Sequence, residues 1–199
     1  MRTMINKKTK LLIFFSLIYF FFTSIHSETL KIGSKDAKIT VKVFSSLTCP
    51  HCASFHKKIF KDLKKDYIDK GIVKFEHHAF PLDLAALNAE KIVRCASNSN
   101  EKFKLLGNIY EKQKKWAVWS DINKINETLI KISSELKFDK KNLKDCLVDE
   151  KLQETILNER INAQKQYNIT STPTIYVNNK KYEDKHEFKS FKKQIDKLL

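Results

Sequence analysis

Hydrophobic positions along this 199-residue chain fall into three kinds of pattern. One is a continuous apolar run from Leu11 to Phe22, interrupted only by Ser16 and Tyr19. A second is short and rich in β-branched residues, as in Ile39-Thr40-Val41-Lys42-Val43-Phe44, Ile72-Val73-Lys74-Phe75-Glu76-His77 and Thr174-Ile175-Tyr176-Val177. These stretches predict strands at about 39–45, 72–77 and 173–177. The third is helical. Cys52, Phe55, Ile59 and Leu63 share one face of a predicted helix from Pro50 to about Lys65. Leu152, Ile156, Ala163 and Tyr167 form a stripe on a helix at 150–167, and Phe188, Phe191, Ile195 and Leu198 on a last one.

Between Leu82 and about Val148 there is no strand signal. The segment reads as helices near 83–98, 100–117, 121–136 and 139–149, with Ser120 or Asp121 as a candidate cap. Residues 28–38 read as a lead-in, Gly71 and Pro81 as terminators, and Asn178-Asn179 as a turn with Lys180–Tyr182 returning as a hairpin. The order is β-α-β, a helical block, then α-β-β-α. That predicts one α/β domain at 28–199, with an all-helical insertion at about 82–150 between the second and third core strands. Trp116 and Trp119 are assigned to the insertion's core, with a substrate groove as the alternative for them.

The first 27 residues read as a secretory signal. Arg2, Lys7, Lys8 and Lys10 precede the apolar run, and Thr23 to Ser27 offers a cleavage region, with the cut placed at Ser27–Glu28. A spanning helix needs about 20 apolar residues, so removal is favoured over a retained anchor. No cysteine lies near the cut, which excludes a lipoprotein signal. Net charge is +15. The lysines are dispersed and interleaved with Asp and Glu, so in an exported chain they argue for a solvated basic surface rather than nucleic-acid binding.

Chemistry concentrates in Cys49-Pro50-His51-Cys52, placed between the first predicted strand and its helix. Strand, Cys-X-X-Cys and helix in that order are the context of a thioredoxin-like redox site. Pro50 suits the first helical position because its missing N–H has no partner there anyway. The helix start puts partial positive charge on the Cys49 sulfur, typically about 0.3–1 kcal/mol and up to ~2 when partly buried, or roughly one pKa unit. A stronger thiolate needs His51 or the backbone amides of His51 and Cys52 as donors. Stabilising the thiolate favours the reduced form, which makes the disulfide an oxidant. Cys52 falls on the apolar helical face, so burial raises its pKa and makes it the leaving and resolving sulfur. A zinc site would need a second close Cys/His pair. Cys95 and Cys146 are isolated, and His77 and His78 point to opposite faces of a strand, so no metal is expected. His56, His77 and His78 read as packing residues.

The second signal is Thr172-Pro173 at the entry to the third core strand. In a thioredoxin fold this proline is cis and faces the active-site disulfide, and the Thr172 backbone is free to pair with an extended substrate. Four cysteines allow three full pairings, and joining Cys49 to Cys52 leaves Cys95 with Cys146.

With Cys-Pro-His-Cys, a Thr-Pro before the third core strand and helices between, the chain resembles the DsbA family of exported thiol–disulfide oxidoreductases over residues 30–199. The resemblance implies donation of the Cys49–Cys52 disulfide to newly exported proteins, with Cys49, Cys52, His51 and Pro50 as catalytic residues and Thr172 and Pro173 as substrate platform. It implies no cofactor beyond that disulfide, a monomer, a periplasmic setting and reoxidation by a membrane, quinone-linked partner of the DsbB type. In a subset of the family, cysteines at such insertion positions form a second buried disulfide, which implies a structural Cys95–Cys146 bond. One departure is Val43, six positions before Cys49, where better-known members carry an acidic residue. Water, the backbone near Thr48, or Glu76 on the next strand is then left to handle the Cys52 proton. The competing functions are a disulfide isomerase or reductase, and a non-catalytic thiol chaperone or metal carrier.

Overall fold

The computed structural model describes residues 29–199, and the secretory leader read at 1–27 lies outside them. Five strands form one sheet: β1 (Leu30–Ile32), β2 (Ile39–Ser45), β3 (Val73–Ala79), β4 (Thr174–Val177) and β5 (Lys180–Lys181). Their spatial order is β1-β3-β2-β4-β5. Only β2 and β3 run parallel, and such a pair needs a long crossover. Helix α1, residues 50–68, supplies it. It starts as an α-helix over Pro50–Phe55 and has wider π-helical turns at His56–Phe60 and Lys64–Ile68, so it ends later than its apolar spacing predicts.

The predicted lead-in contains a strand. Leu30 is buried and pairs opposite His77, but three residues are too few to show an alternation. Gly33 follows with φ +106°, where a Cβ would sit 2.5 Å from the Val73 carbonyl oxygen, so the turn out of β1 needs glycine. At the other edge, Asn178 takes φ +54° and bonds both backbone groups of Thr40, closing the β4–β5 hairpin onto β2.

Register sorts the two faces of the sheet. Val41 lies beside Phe75 and Val43 beside His77 on one face, whereas Lys42 lies beside Glu76 and Phe44 beside His78 on the other. Phe60 of α1 packs 4.7 Å from the Phe75 ring. Five helices follow β3: α2 (Leu84–Arg94), α3 (Ser99–Glu111), α4 (Gln113–Trp116), α5 (Ile122–Ser134) and α6 (Lys140–Val148). Helix α7 (Glu150–Tyr167) leads to β4, and α8 (Phe188–Asp196) ends the fold. Helix α8 lies beside α1 through Phe55 and Phe191, while α7 covers the opposite face, where Phe44, Phe80, Ala163 and Ile169 form a second small core.

Asp83, Asn98, Asp121, Asp139 and Asp149 each accept a backbone N–H at the start of a helix, so the cap of α5 is Asp121 and not Ser120. Each cap of this kind contributes about 1 kcal/mol. The two tryptophans part company. Trp116 is fully buried and donates its indole N–H to Ile109, but Trp119 is exposed, with the Lys124 ammonium over its ring. The core assignment therefore holds for Trp116 and not for Trp119, which stands beyond the last turn of α4.

A disulfide joins Cys95, just past α2, to Cys146 in α6. Both cysteines are half-buried, less than their apolar neighbours imply, because only Leu143 of α6 faces fully inward. The bond closes a separation of 51 residues. Replacing both cysteines by alanine should lower unfolding free energy by about 2–4 kcal/mol in denaturant titrations, through a freer unfolded chain. The fold should persist, since the cores that hold the sheet do not include these sulfurs.

Candidate active site

Strand β2 delivers the chain to a short loop, Ser46-Leu47-Thr48, and Cys49 then stands at the N-cap of α1 with Pro50 as the first helical residue. Cys49 is 8% exposed and Cys52 1%, the latter on the helix face that also buries Phe55 and Ile59. Both are free thiols, so this is the reduced state. The Thr172–Pro173 peptide bond is cis. The Cys49 thiol donates to the Thr172 carbonyl oxygen at 3.3 Å. The Thr172 hydroxyl is buried, has no oxygen or nitrogen partner, and acts on both sulfurs.

These contacts make the two cysteines unlike. The Cys52 thiol donates to the Cys49 sulfur, and against the resistance of burial Thr172 and the amides of Cys52 and His51 add to it, holding Cys49 down from 9.0 to about 5. Burial pushes Cys52 the other way, far above an ordinary thiol, and its bond to a charged Cys49 pushes it further. His51 enters through its backbone amide, and its ring is exposed.

The loop is held from the helical block. Gln113 donates to the carbonyl oxygens of Leu47 and Cys49 at 2.8 and 3.0 Å. Thr48 donates to Asp83 at 2.7 Å, and the Tyr110 hydroxyl lies 3.5 Å from the Ser46 carbonyl oxygen. Gln113, Asp83 and Tyr110 belong to no motif in the sequence. Their signal is a polar group at helical spacing within a buried stripe, as in Tyr110, Gln113 and Trp116. A groove of about 580 Å³ opens beside Cys49 and Pro50, lined by Thr48, Leu82, Leu84 and Trp119 among others.

The acidic candidate fails on geometry. Glu76 sits opposite Lys42 on the far face of the sheet and bonds His78, so it does not reach Cys52. Val43 is buried beside His77. The histidines are more than strand filler. His77 bonds Ser45 and Glu90, while His78 approaches Glu76 and Glu159 on the other face. His56 is a packing residue, stacked on Phe60 and close to Tyr110, and burial lowers its pKa to about 3. Among the described residues no group of three potential metal ligands comes together.

The thioredoxin family profile matches residues 26–197. The crystal structure of α-DsbA1 from Wolbachia pipientis superposes with a TM-score of 0.78 at 27% identity, over 86% of this chain and 90% of that one. Disulfide bond formation protein D of Bacillus subtilis is 31% identical over 84% of this chain and 76% of its own length. The chain belongs to the DsbA-like branch of the thioredoxin family. Oxidised BdbD from Bacillus subtilis superposes with a TM-score of 0.71 at 29% identity, over 85% of this chain and 92% of that one. A Rickettsia bellii protein assigned as a protein-disulfide oxidoreductase is 31% identical over 88% of this chain. This DsbA-like chain spans 66% of that protein's length and 63% of a Rickettsia prowazekii counterpart.

Thiolate absorbance should therefore titrate at a midpoint near pH 5. Thr172→Val, which removes one donor and keeps the shape, should raise the midpoint by roughly one unit. The Cys49 pKa is depressed on folding, so its contribution is complete above about pH 9 and disappears as pH falls through about 5. Unfolding titrations should show the reduced form gaining on the oxidised form as pH rises between those limits.

Proposed function

We propose that this protein is an exported disulfide donor, which oxidises reduced client proteins with its Cys49–Cys52 disulfide. The observation that carries the reading is the asymmetry of the two sulfurs, one a thiolate near pH 5 and the other a buried thiol. A client thiolate attacks the Cys49 sulfur, the Cys49–Cys52 bond breaks, and Cys52 takes the electron pair and a proton. A second client thiolate then attacks the client sulfur of the mixed disulfide and releases Cys49 as a thiolate. The client loses two electrons and the protein gains them.

Energetics favour this direction. At pH 7 a thiol titrating near 5 stabilises the reduced form by two pH units relative to an ordinary one, about 60 mV toward the oxidising side. The Thr172 carbonyl oxygen lies at the reacting sulfur, and the Thr172 backbone serves an extended client strand, with Pro173 beside it. Clients are reduced exported proteins, in a periplasmic setting supplied by the leader at 1–27. Reoxidation is assigned to a membrane, quinone-linked oxidase of the DsbB type. The protein works as a monomer with no cofactor other than its disulfide. Among the described residues, no helix is long and apolar enough to cross a membrane. A metal carrier would use two thiolates, which the buried Cys52 opposes.

Cys49→Ser should abolish oxidation of a reduced model protein, followed by its thiol content. Cys52→Ser should retain a reactive Cys49 and accumulate a stable adduct with glutathione disulfide, seen by mass. A fully active Cys49→Ser variant would overturn the reading.

A further inference from the structure

Lysines recur along α1 at Lys57, Lys58, Lys61 and Lys64, and a second basic run, Lys112 to Lys115 with Gln113 inside it, joins α3 to α4. Packing brings both runs onto the walls of one groove of about 860 Å³. Lys57, Lys58, Lys61, Lys114 and Lys115 are exposed and, among the described residues, form no ion pair. Lys64 pairs with Asp69, and Lys112 with Glu135, whose charge Lys115 also feels. Among the described residues, Glu111 is the single carboxylate of the lining. The buried rings of Phe60 and Tyr110 form an apolar floor.

We propose, on the disulfide-donor reading, that this groove receives an acidic segment on one side of the client cysteine, so that clients carrying such a segment are oxidised fastest. Pro50 lines this groove and also the groove beside Cys49 that holds Leu82, Leu84 and Trp119. A chain whose cysteine sits at Cys49 therefore has a basic groove to one side. To the other side it has a largely apolar one, whose lining contains Asp83 and no lysine.

The basic walls are fixed relative to the reacting sulfur. Gln113, between Lys112 and Lys114, donates to the Cys49 carbonyl oxygen at 3.0 Å. The His56 ring lies 5.1 Å from Tyr110 and the Phe60 ring 5.7 Å from Phe103, so α1 and α3 shape the groove before a client arrives. A single exposed lysine–carboxylate pair contributes little, because water screens it. A cleft lined by one sign of charge over low-dielectric walls focuses the field instead, and the gain falls mainly on the association rate. The concave shape selects the occupant. A polypeptide segment can follow the groove from Pro50 over Phe60 and Tyr110, whereas a flat anionic membrane would meet only the rim lysines.

The test uses reduced dithiol peptides with a short run of glutamates before the first cysteine or after the last, and a glutamine-run control. Rates of oxidation by the disulfide form are corrected for the peptide thiolate fraction. Glutamates on one side should raise the rate constant roughly tenfold over the control at low salt. Glutamates on the other side should leave it near the control. About 0.5 M salt should erase the difference. The variant Lys57→Gln/Lys61→Gln/Lys114→Gln should lose the advantage and keep the control rate. Lys189→Gln/Lys193→Gln/Lys197→Gln, which removes the same charge on and just beyond α8, should keep the advantage. Equal acceleration from either side, or equal loss in the two triple variants, would overturn the proposal. So would vesicles of anionic lipid that bind through the groove lysines while the peptides show no preference. Failure of the wild type to oxidise the control peptide would instead sink the disulfide-donor reading. The groove is then read from fluorescence anisotropy of a cysteine-free glutamate peptide, which should bind the wild type more tightly than the groove variant, and equal binding would overturn it.

Discussion

Burying Cys52 while leaving Cys49 at the edge of a groove makes two sulfurs of one tetrapeptide chemically opposite. The first turn of α1 produces this. Cys49 is at the cap, where free N–H groups point at it, and Cys52 is three residues on, turned into the core with Phe55 and Ile59. Each sulfur reinforces the other, since the thiol that burial keeps protonated is the strongest donor to the thiolate. The remaining structure serves to hold this arrangement. The parallel β2–β3 pair fixes where α1 begins, and the β2–β4 pairing brings Thr172 against Cys49 from the far end of the chain.

The helical block is part of the site and not only its cover. Gln113 and Tyr110 bind the carbonyl oxygens of the loop that precedes the helix, and Asp83 both caps α2 and bonds Thr48. Glu90 and Arg94, one turn apart on α2, tie β3 to α7 through His77 and Glu159. Charges buried this deeply are costly unless fully paired, and here each faces an opposite charge or a hydrogen-bonding partner. The network therefore specifies how the block seats on the sheet.

Much of the fold was legible because its signals are local. The runs at 39–45, 72–77 and 173–177 contain strands, observed at Ile39–Ser45, Val73–Ala79 and Thr174–Val177, the helical periodicities are helices, and Asp121, one of two candidate caps, caps its helix. Failures came where a short element or a distant partner decides. Strand β1 has three residues and exists because β3 pairs with it. Trp119 differs from Trp116 only in lying beyond the end of α4, which no pattern of apolar residues marks. Glu76 looked available for Cys52 until register put it on the opposite face.

Local sequence carries the redox chemistry and its setting in the chain: Cys49-Pro50-His51-Cys52 at a helix start, Thr172-Pro173 at a strand entry, and helices between. Those properties depend on neighbours within a few residues, where backbone geometry follows from composition. How strongly each sulfur holds its proton, and which groups surround Cys52, depends on the packed fold. Electrostatic effects depend on distance and burial in space, and Thr172, the Tyr110–Gln113 segment and His77 approach the site from three separate parts of the chain. Periodicity can place such residues on an inward face, but only packing brings them together.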